Sequence, residues 1–402
     1  MSKMSIEQEL ARGAGISIIN LVDSLIEKAH DMRASDIHIG PGAADARVRF
    51  RVDGVLNEAY RLPRDVFDQA ISRIKVIAGL RIDEHQAAQD GRFRLLFPQS
   101  DEFVDIRVSI APAYHGEHVV MRLLSDHHEA FTLENLGFTE TDRERIERAI
   151  RKPSGMILAT GPTGSGKTTT LYTLIKLLNT HDISIVTIED PIEYAIQGIE
   201  QIQVSSGSGL TFAAGLRTIL RQDPNIIMVG EIRDAETASI AVNTALTGHL
   251  LLSTLHTNDA STTLARLMEM RIEPYLVAST VSVAIGQRLV RKLCESCKEA
   301  YAHDAAERAL LEKMKDAGKM KTLYRAKGCK KCSMTGYQGR VSINEVLEVS
   351  DEIREAILRR ASASEIKEIG RKQGMRTMLE DGLGKVSRGV TALSEVLRAA
   401  ND

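Results

Sequence analysis

Residues Gly161-Pro162-Thr163-Gly164-Ser165-Gly166-Lys167-Thr168 satisfy the pattern G-x-x-x-x-G-K-[ST] at every fixed position. The flanks decide what that means. Residues 156–160 are a short apolar run that reads as a buried strand, and residues 167–178 set Leu171, Leu174, Ile175 and Leu178 on one side of a helix. A strand that runs into a glycine loop and out into a helix turns backbone N–H groups toward phosphate oxygens without Cβ clashes. It also places the positive end of the helix behind them. Lys167 then reaches the β and γ phosphates, Thr168 offers its hydroxyl to Mg²⁺, and Thr169 follows in the same first turn. A glycine turn kept for packing alone needs neither flank.

The rhythm around the loop continues. Residues 183–188, 226–229 and 250–255 read as further strands, and residues 212–221 and 235–247 as helices between them. Strands interleaved with helices imply a parallel sheet covered on both faces. Such a sheet binds ligands at the carboxyl ends of its strands.

Hydrolysis needs an acid near the attacking water. Strand 226–229 ends in Gly230-Glu231, where the usual motif has Asp then Glu. Glu231 is thus a candidate to orient or deprotonate water, with Mg²⁺ relying on Thr168 and carboxylates from elsewhere. Glu189, Asp190 and Glu193 leave the neighbouring strand and are the obvious source, although an acidic surface turn would look the same. His249 and His256 bracket strand 250–255, and His256, at the carboxyl end, is the better candidate for sensing the γ-phosphate. Charge on the transferred phosphoryl group calls for cations. Arg217 and Arg221 share a helix face, and Arg107 and Arg122 sit on N-terminal strands. Spacing does not rank these arginines.

A chain of 402 residues exceeds one ordinary domain at ~150 residues each. With 52 Lys+Arg against 54 Asp+Glu and 43% hydrophobic residues, neither disorder nor a general cationic coat fits. The start lacks the basic-then-apolar order of a secretory signal. The longest uncharged stretch, 237–258, is broken by Asn243, Gly248, His249 and His256, which argues against a membrane span. Residues 1–15 lack periodicity and are expected to be disordered. Residues 16–125 read as a small α+β domain: Leu21, Val22, Leu25 and Ile26 recur at helical spacing, Asp53-Gly54 marks a hairpin, and Val104, Ile106, Val108 and Ile110 alternate with polar residues. A linker over 126–134, the nucleotide-binding domain over 135–290, a cysteine module over 291–335 and a helical region over 336–402 complete the expected order.

Cys294, Cys297, Cys329 and Cys332 form C-x2-C-x31-C-x2-C. Two knuckles of thiolates suit tetrahedral Zn²⁺ with no open position, hence a structural site. A redox C-x-x-C would need only one pair in a βαβ setting. Without an export signal, these cysteines point to a reducing cytosol. Lys292, Lys298, Lys327, Lys330 and Lys331 make a basic cluster able to meet acidic lipid headgroups or nucleic acid; a solvated face reads the same.

Taken in order, Ala34-Ser35-Asp36-Ile37-His38, Gln89-Asp90-Gly91-Arg92, the 161–168 loop, 188–193, 229–234, Thr247-Gly248-His249, Thr254-Leu255-His256-Thr257, Gln287-Arg288-Leu289 and 336–340 resemble the ATPases of type II secretion and type IV pilus assembly. The resemblance implies a PAS-like N-terminal domain followed by a RecA-like P-loop domain with a C-terminal zinc-binding and helical region, assembled as a homo-hexamer. It assigns Glu189, Asp190 and Glu193 to an acidic box, Glu231 to an atypical Walker B, His249 and His256 to a histidine box, and Arg107 and Arg122 to nucleotide contacts. The four cysteines match the zinc module of the assembly branch. The implied function is ATP hydrolysis that powers a pilus or pseudopilus through an inner-membrane platform protein, at the cytoplasmic face of the inner membrane. No specific nucleic acid is expected, although a DNA-translocating motor is the alternative. About a dozen residues precede the match, so the extra N-terminal domain of longer members is expected to be absent. Gly40, where the family usually has Glu, and Ala88-Gln89-Asp90, without its usual proline, depart from the pattern.

Overall fold

The computed structural model describes residues 6–97, 102–125, 131–312 and 322–401. The chain forms two compact units, Met1–His128 and Glu129–Asp402.

In the first unit, strands β1 (Ala34–Pro41), β2 (Asp45–Val52), β3 (Val55–Pro63), β4 (Gln89–Phe97), β5 (Glu102–Ala113) and β6 (Gly116–Ser125) form one antiparallel sheet in the order β3-β2-β1-β6-β5-β4. The Asp53-Gly54 turn has positive φ at both residues, the geometry that matches strand twist in a two-residue hairpin. Alternation puts Val104, Ile106, Val108 and Ile110 in the core, against Leu21, Leu25 and Ile26 of helix Ile18–Asp31 and Phe67 and Ile74 of helix Arg64–Ile77. Part of the 1–15 segment departs from the expected disorder: Ile6–Leu10 is helical, with Ile6 buried in this core. Five residues are too short a window for periodicity to show, and tertiary burial decides. Residues 126–130 of the expected linker lie outside the described residues.

The second unit is built on β7 (Gly155–Thr160), β8 (Ile185–Glu189), β9 (Glu200–Gln203), β10 (Ile226–Val229), β11 (Leu250–Leu255), β12 (Val281–Leu293) and β15 (Tyr337–Glu348), in the order β15-β12-β7-β11-β10-β8-β9. Only the β12–β15 pair is antiparallel. Successive strand residues enter opposite cores: Leu158, Val186, Ile227 and Leu251 on one face, Ile157, Ile185, Met228 and Leu252 on the other. The α/β fold expected from the loop's setting is borne out, with helices over both faces. The region beyond Cys294, which reads as helix-rich, also contributes β15, and β12 leads into it. Both strands carry fully buried polar residues, Gln287, Asn344 and Glu345, which erase the alternation that betrays a strand. Short strands β13 (Glu299–Tyr301) and β14 (Leu323–Arg325) pair beside the cysteines, and helix Ala305–Glu312 opens the long insert between them.

Candidate active site

The loop Gly161–Thr168 leaves the carboxyl end of β7, and the helix Lys167–Leu178 starts from Gly166. Gly161 has φ 147°, and a Cβ there would lie 2.4 Å from the Gln287 carbonyl oxygen and 2.6 Å from Ser165 Oγ. Only glycine fits. Lys167 Nζ donates to the carbonyl oxygens of Gly161 (2.8 Å) and Pro162 (3.0 Å). Burial lowers its pKa to about 8, against the pull of Glu231 and with the help of Arg288. A buried ammonium resting on carbonyls gains by meeting an anion. Ser165 Oγ is buried with no hydrogen-bond partner, an orphaned donor inside the cradle, so the residues fit a phosphate ligand.

β11 lies between the loop strand β7 and the acid strand β10, and β8 lies beyond β10. At ~4.8 Å per strand, Glu231 is offset from β7 by roughly 10 Å and Glu189 by roughly 14 Å. Glu231 accepts from His256 Nε2 at 2.9 Å and is paired with Arg233. Burial would raise the Glu231 pKa, but Arg233 and His256 together hold it below the usual glutamate range. It therefore stands as a carboxylate. Arg233 also feels Asp190, which draws Asp190, Glu231, Arg233 and His256 into one charged group. A Cβ at Gly230 would lie 3.3 Å from both Glu189 Cα and the Ile188 carbonyl oxygen, so the absence of Asp at this position matches a close approach of the β8 and β10 ends.

Glu189 is different. Thr187 Oγ1 (2.6 Å) and Gln201 Nε2 (3.2 Å) donate to one carboxylate oxygen, and the Tyr172 hydroxyl donates to the other. The side chain is 2% exposed. Both oxygens of this carboxylate, expected to be catalytic, are filled by buried donors in this structure, and the side chain faces the helix behind the loop. Glu193 acts electrostatically on the same Tyr172.

The histidines separate. β11 runs about 20 Å at ~3.3 Å per residue and is parallel to β7. His256 is therefore at the loop end, and His249 is at the opposite end, its Nδ1 3.2 Å from the Thr244 carbonyl oxygen. His249, expected as a nucleotide contact, therefore lies away from the loop of its own chain. Arg217 pairs with Glu236 at 2.7 Å, and Arg221 donates to the Arg217 carbonyl oxygen; no described bond ties either to the loop. In the first unit Arg107 is the cross-strand partner of both Arg92 and Arg122, and Arg122 Nε donates to Asp36 at 3.1 Å. Like charges thus stand opposite each other across these strands, an unfavourable pairing that Asp36 offsets at Arg122.

Three residues outside the expected site belong to it. Arg233 pairs with Glu231; Gln287 is fully buried, accepts from Thr170 at 2.9 Å and packs on the loop glycines; Arg288 lies beside Gly161. Gln287 and Arg288 lie in a motif that the sequence offers but at the middle of a strand that it hides.

The cysteines meet as expected. The four Sγ atoms lie within 4.8 Å of one another, with Cys294–Cys329 at 3.9 Å, Cys297–Cys332 at 3.8 Å and Cys329–Cys332 at 3.7 Å. Bonds of about 2.3 Å in a tetrahedron put sulfurs about 3.8 Å apart. Backbone N–H groups of Cys329 and Gly336 donate to Cys332 Sγ at 3.2 Å each. The set is able to hold a metal ion. Of the nearby lysines, Lys298 is tied to Glu295 at 2.7 Å, while Lys292, Lys327, Lys330 and Lys331 are exposed.

Comparison with known proteins agrees with this geometry. The family model described as type II/IV secretion system protein matches residues 12–398. The type II secretion system protein E of Xanthomonas campestris pv. campestris is 50% identical over 387 residues, 96% of this chain and 68% of that protein. The type IV pilus assembly ATPase PilB of Thermus thermophilus is 47% identical, over 94% of this chain and 42% of that protein. The crystal structure of the pilus retraction motor PilT with bound ADP superposes with a TM-score of 0.63 at 25% identity, covering 94% of this chain and 97% of that one. The chain is a P-loop ATPase of the type II/IV secretion system protein family.

Proposed function

We propose that this chain works in a homo-hexameric ring that hydrolyses Mg·ATP to drive assembly of a type IV pilus or a type II secretion pseudopilus through an inner-membrane platform protein. The observation that carries the reading is the placement of Glu231: an ionised carboxylate steadied by His256 and Arg233, one strand removed from the loop strand's neighbour, at the end of the sheet where the loop opens. Lys167 exchanges its loop carbonyls for phosphate oxygens, Glu231 orients the attacking water and takes its proton, and His256 reports on the γ-phosphate. Thr168 would help to hold Mg²⁺, which when bound would neutralise charge on the transferred group. Asp190, just beyond β8, adds negative charge beside Arg233. Arg107 and Arg122 supply further positive charge to nucleotide in the ring.

In the same reading, Cys294, Cys297, Cys329 and Cys332 hold structural Zn²⁺, and the exposed lysines beside them face acidic lipid at the inner membrane. No helix among the described residues is long and apolar enough to cross a membrane. The relatives' names favour secretion and pilus assembly over a DNA-translocating motor. Steady-state phosphate release tests the assignment: Lys167→Ala is expected to lose at least 100-fold in turnover. A near-normal rate in that variant contradicts the reading.

A further inference from the structure

Two side chains from elsewhere in the fold, Lys367 and Glu345, converge on the five residues after β11. Asp259 caps the helix Ala260–Glu269 by accepting from the Thr262 N–H at 2.8 Å with Oδ1. A cap needs only one oxygen. The other, Oδ2, accepts from Lys367 Nζ at 3.0 Å, and the same ammonium lies 3.3 Å from Glu345 Oε2. Glu345 is 1% exposed, and its second oxygen accepts from the Ala260 N–H at 3.2 Å. One cation thus serves two carboxylates, one of them fully buried. Lys367 comes from the helix Ala363–Lys372 in the C-terminal region, and Glu345 from β15.

The other end of the segment is held as firmly. His256 lies on Glu231 at 2.9 Å. The Thr257 N–H donates to Thr160 Oγ1 at 2.9 Å, and the two hydroxyls lie 2.6 Å apart. Thr160 immediately precedes Gly161. Thr257 Oγ1 in turn lies 2.9 Å from Thr263 Oγ1, which donates to the Asp259 carbonyl oxygen at 3.1 Å. A Cβ at Gly286 would lie 3.0 Å from the Ala260 nitrogen, so β12 packs directly under the segment. With anchors at His256, Thr257 and Asp259–Ala260, four bonded residues leave no slack to absorb a shift at Asp259.

We propose that Lys367 is a positioning residue: it holds the 256–260 segment in the register that keeps His256 on Glu231, and so makes turnover depend on the helix Ala363–Lys372. The inference rests on the placement of His256 in the hydrolysis site. Lys367 touches neither nucleotide nor the reacting atoms; it acts through Asp259.

A double-mutant cycle on the full chain tests this, with steady-state ATP hydrolysis and thermal unfolding read on each variant. Lys367→Ala is expected to lower kcat about tenfold with KM for Mg·ATP changed less than twofold, and Lys367→Arg to restore kcat. In the cycle with His256→Ala, the double variant is expected to be no slower than His256→Ala alone, because both act on one element. Multiplying losses, or a Lys367→Ala enzyme with unchanged kcat, overturns the positioning role while leaving the His256 assignment intact. Normal turnover in His256→Ala overturns both. Should Lys367→Ala fail to fold, the paired Glu345→Gln, Lys367→Met variant removes the buried charge with its partner, and the same cycle is read on it.

Discussion

The tips of β8 and β10 are neighbours in the sheet, with Glu189 ending β8 and Glu231 two residues beyond β10, yet the fold treats the two carboxylates in opposite ways. Glu189 is enclosed by Tyr172, Thr187 and Gln201. Glu231 is partly open and held by two cationic or protonatable partners. A buried carboxylate whose oxygens are already filled contributes to packing and order; one with charged neighbours and solvent access is available for proton transfer. Proximity to a strand end therefore does not separate the two acids; the donors around each of them do.

The largest expected effect tests the β10 tip. Glu231→Gln should retain ATP binding by calorimetry and lose about 10²- to 10⁴-fold in kcat, the range for a general base. A small kinetic effect would break the contrast. The β8 tip should respond in stability instead. Glu189→Gln brings an amide N–H against donors from Tyr172, Thr187 and Gln201, and should cost about 1–3 kcal/mol in denaturant unfolding. Its effect on kcat per folded molecule should be far smaller than that of Glu231→Gln. Tyr172→Phe sharpens the same point at about 1 kcal/mol. The burial that keeps Glu189 shut also pushes the Tyr172 phenol well above its usual range.

A subtler expectation concerns pH. The Lys167 pKa is lowered to about 8, with burial as the main cause, and phosphate favours the charged form. Without nucleotide, the ammonium is lost as pH rises through 8, so binding above that pH must take up a proton. ATP affinity should weaken by up to about tenfold per pH unit above 8. Calorimetry in two buffers of different ionisation enthalpy would show the uptake, and Lys167→Met should abolish it. For folding the sign is opposite. The unfolded chain binds this proton more tightly than the folded one, so the Lys167 contribution to stability rises with pH from 8 toward the ordinary lysine value.

Much of this site was legible before any coordinates. The loop, its strand and its helix fall where the pattern places them, because a phosphate cradle requires those elements in immediate succession. The strand residues 226–229 and 250–255 match β10 and β11, since short, largely apolar runs between turn signals leave little choice. The four cysteines come together as their paired spacing requires. Arg233 was within reach, two residues from Glu231. β12 and β15 were not, because Gln287, Asn344 and Glu345 are polar and buried, and the period that marks a strand is lost.

The amino-acid order by itself determined the nucleotide loop, the α/β class and the thiolate set, all of which rest on contacts between residues close in the chain or on chemistry with few alternatives. Only the tertiary structure decided which acid meets charged partners and which meets buried neutral donors, that His249 and His256 part to opposite ends of β11, and that Lys367 reaches Asp259 from 108 residues away. The physical reason is that the order of strands in a sheet, β7-β11-β10-β8, is set by how whole layers bury their faces, and no local pattern encodes which neighbour a strand will find.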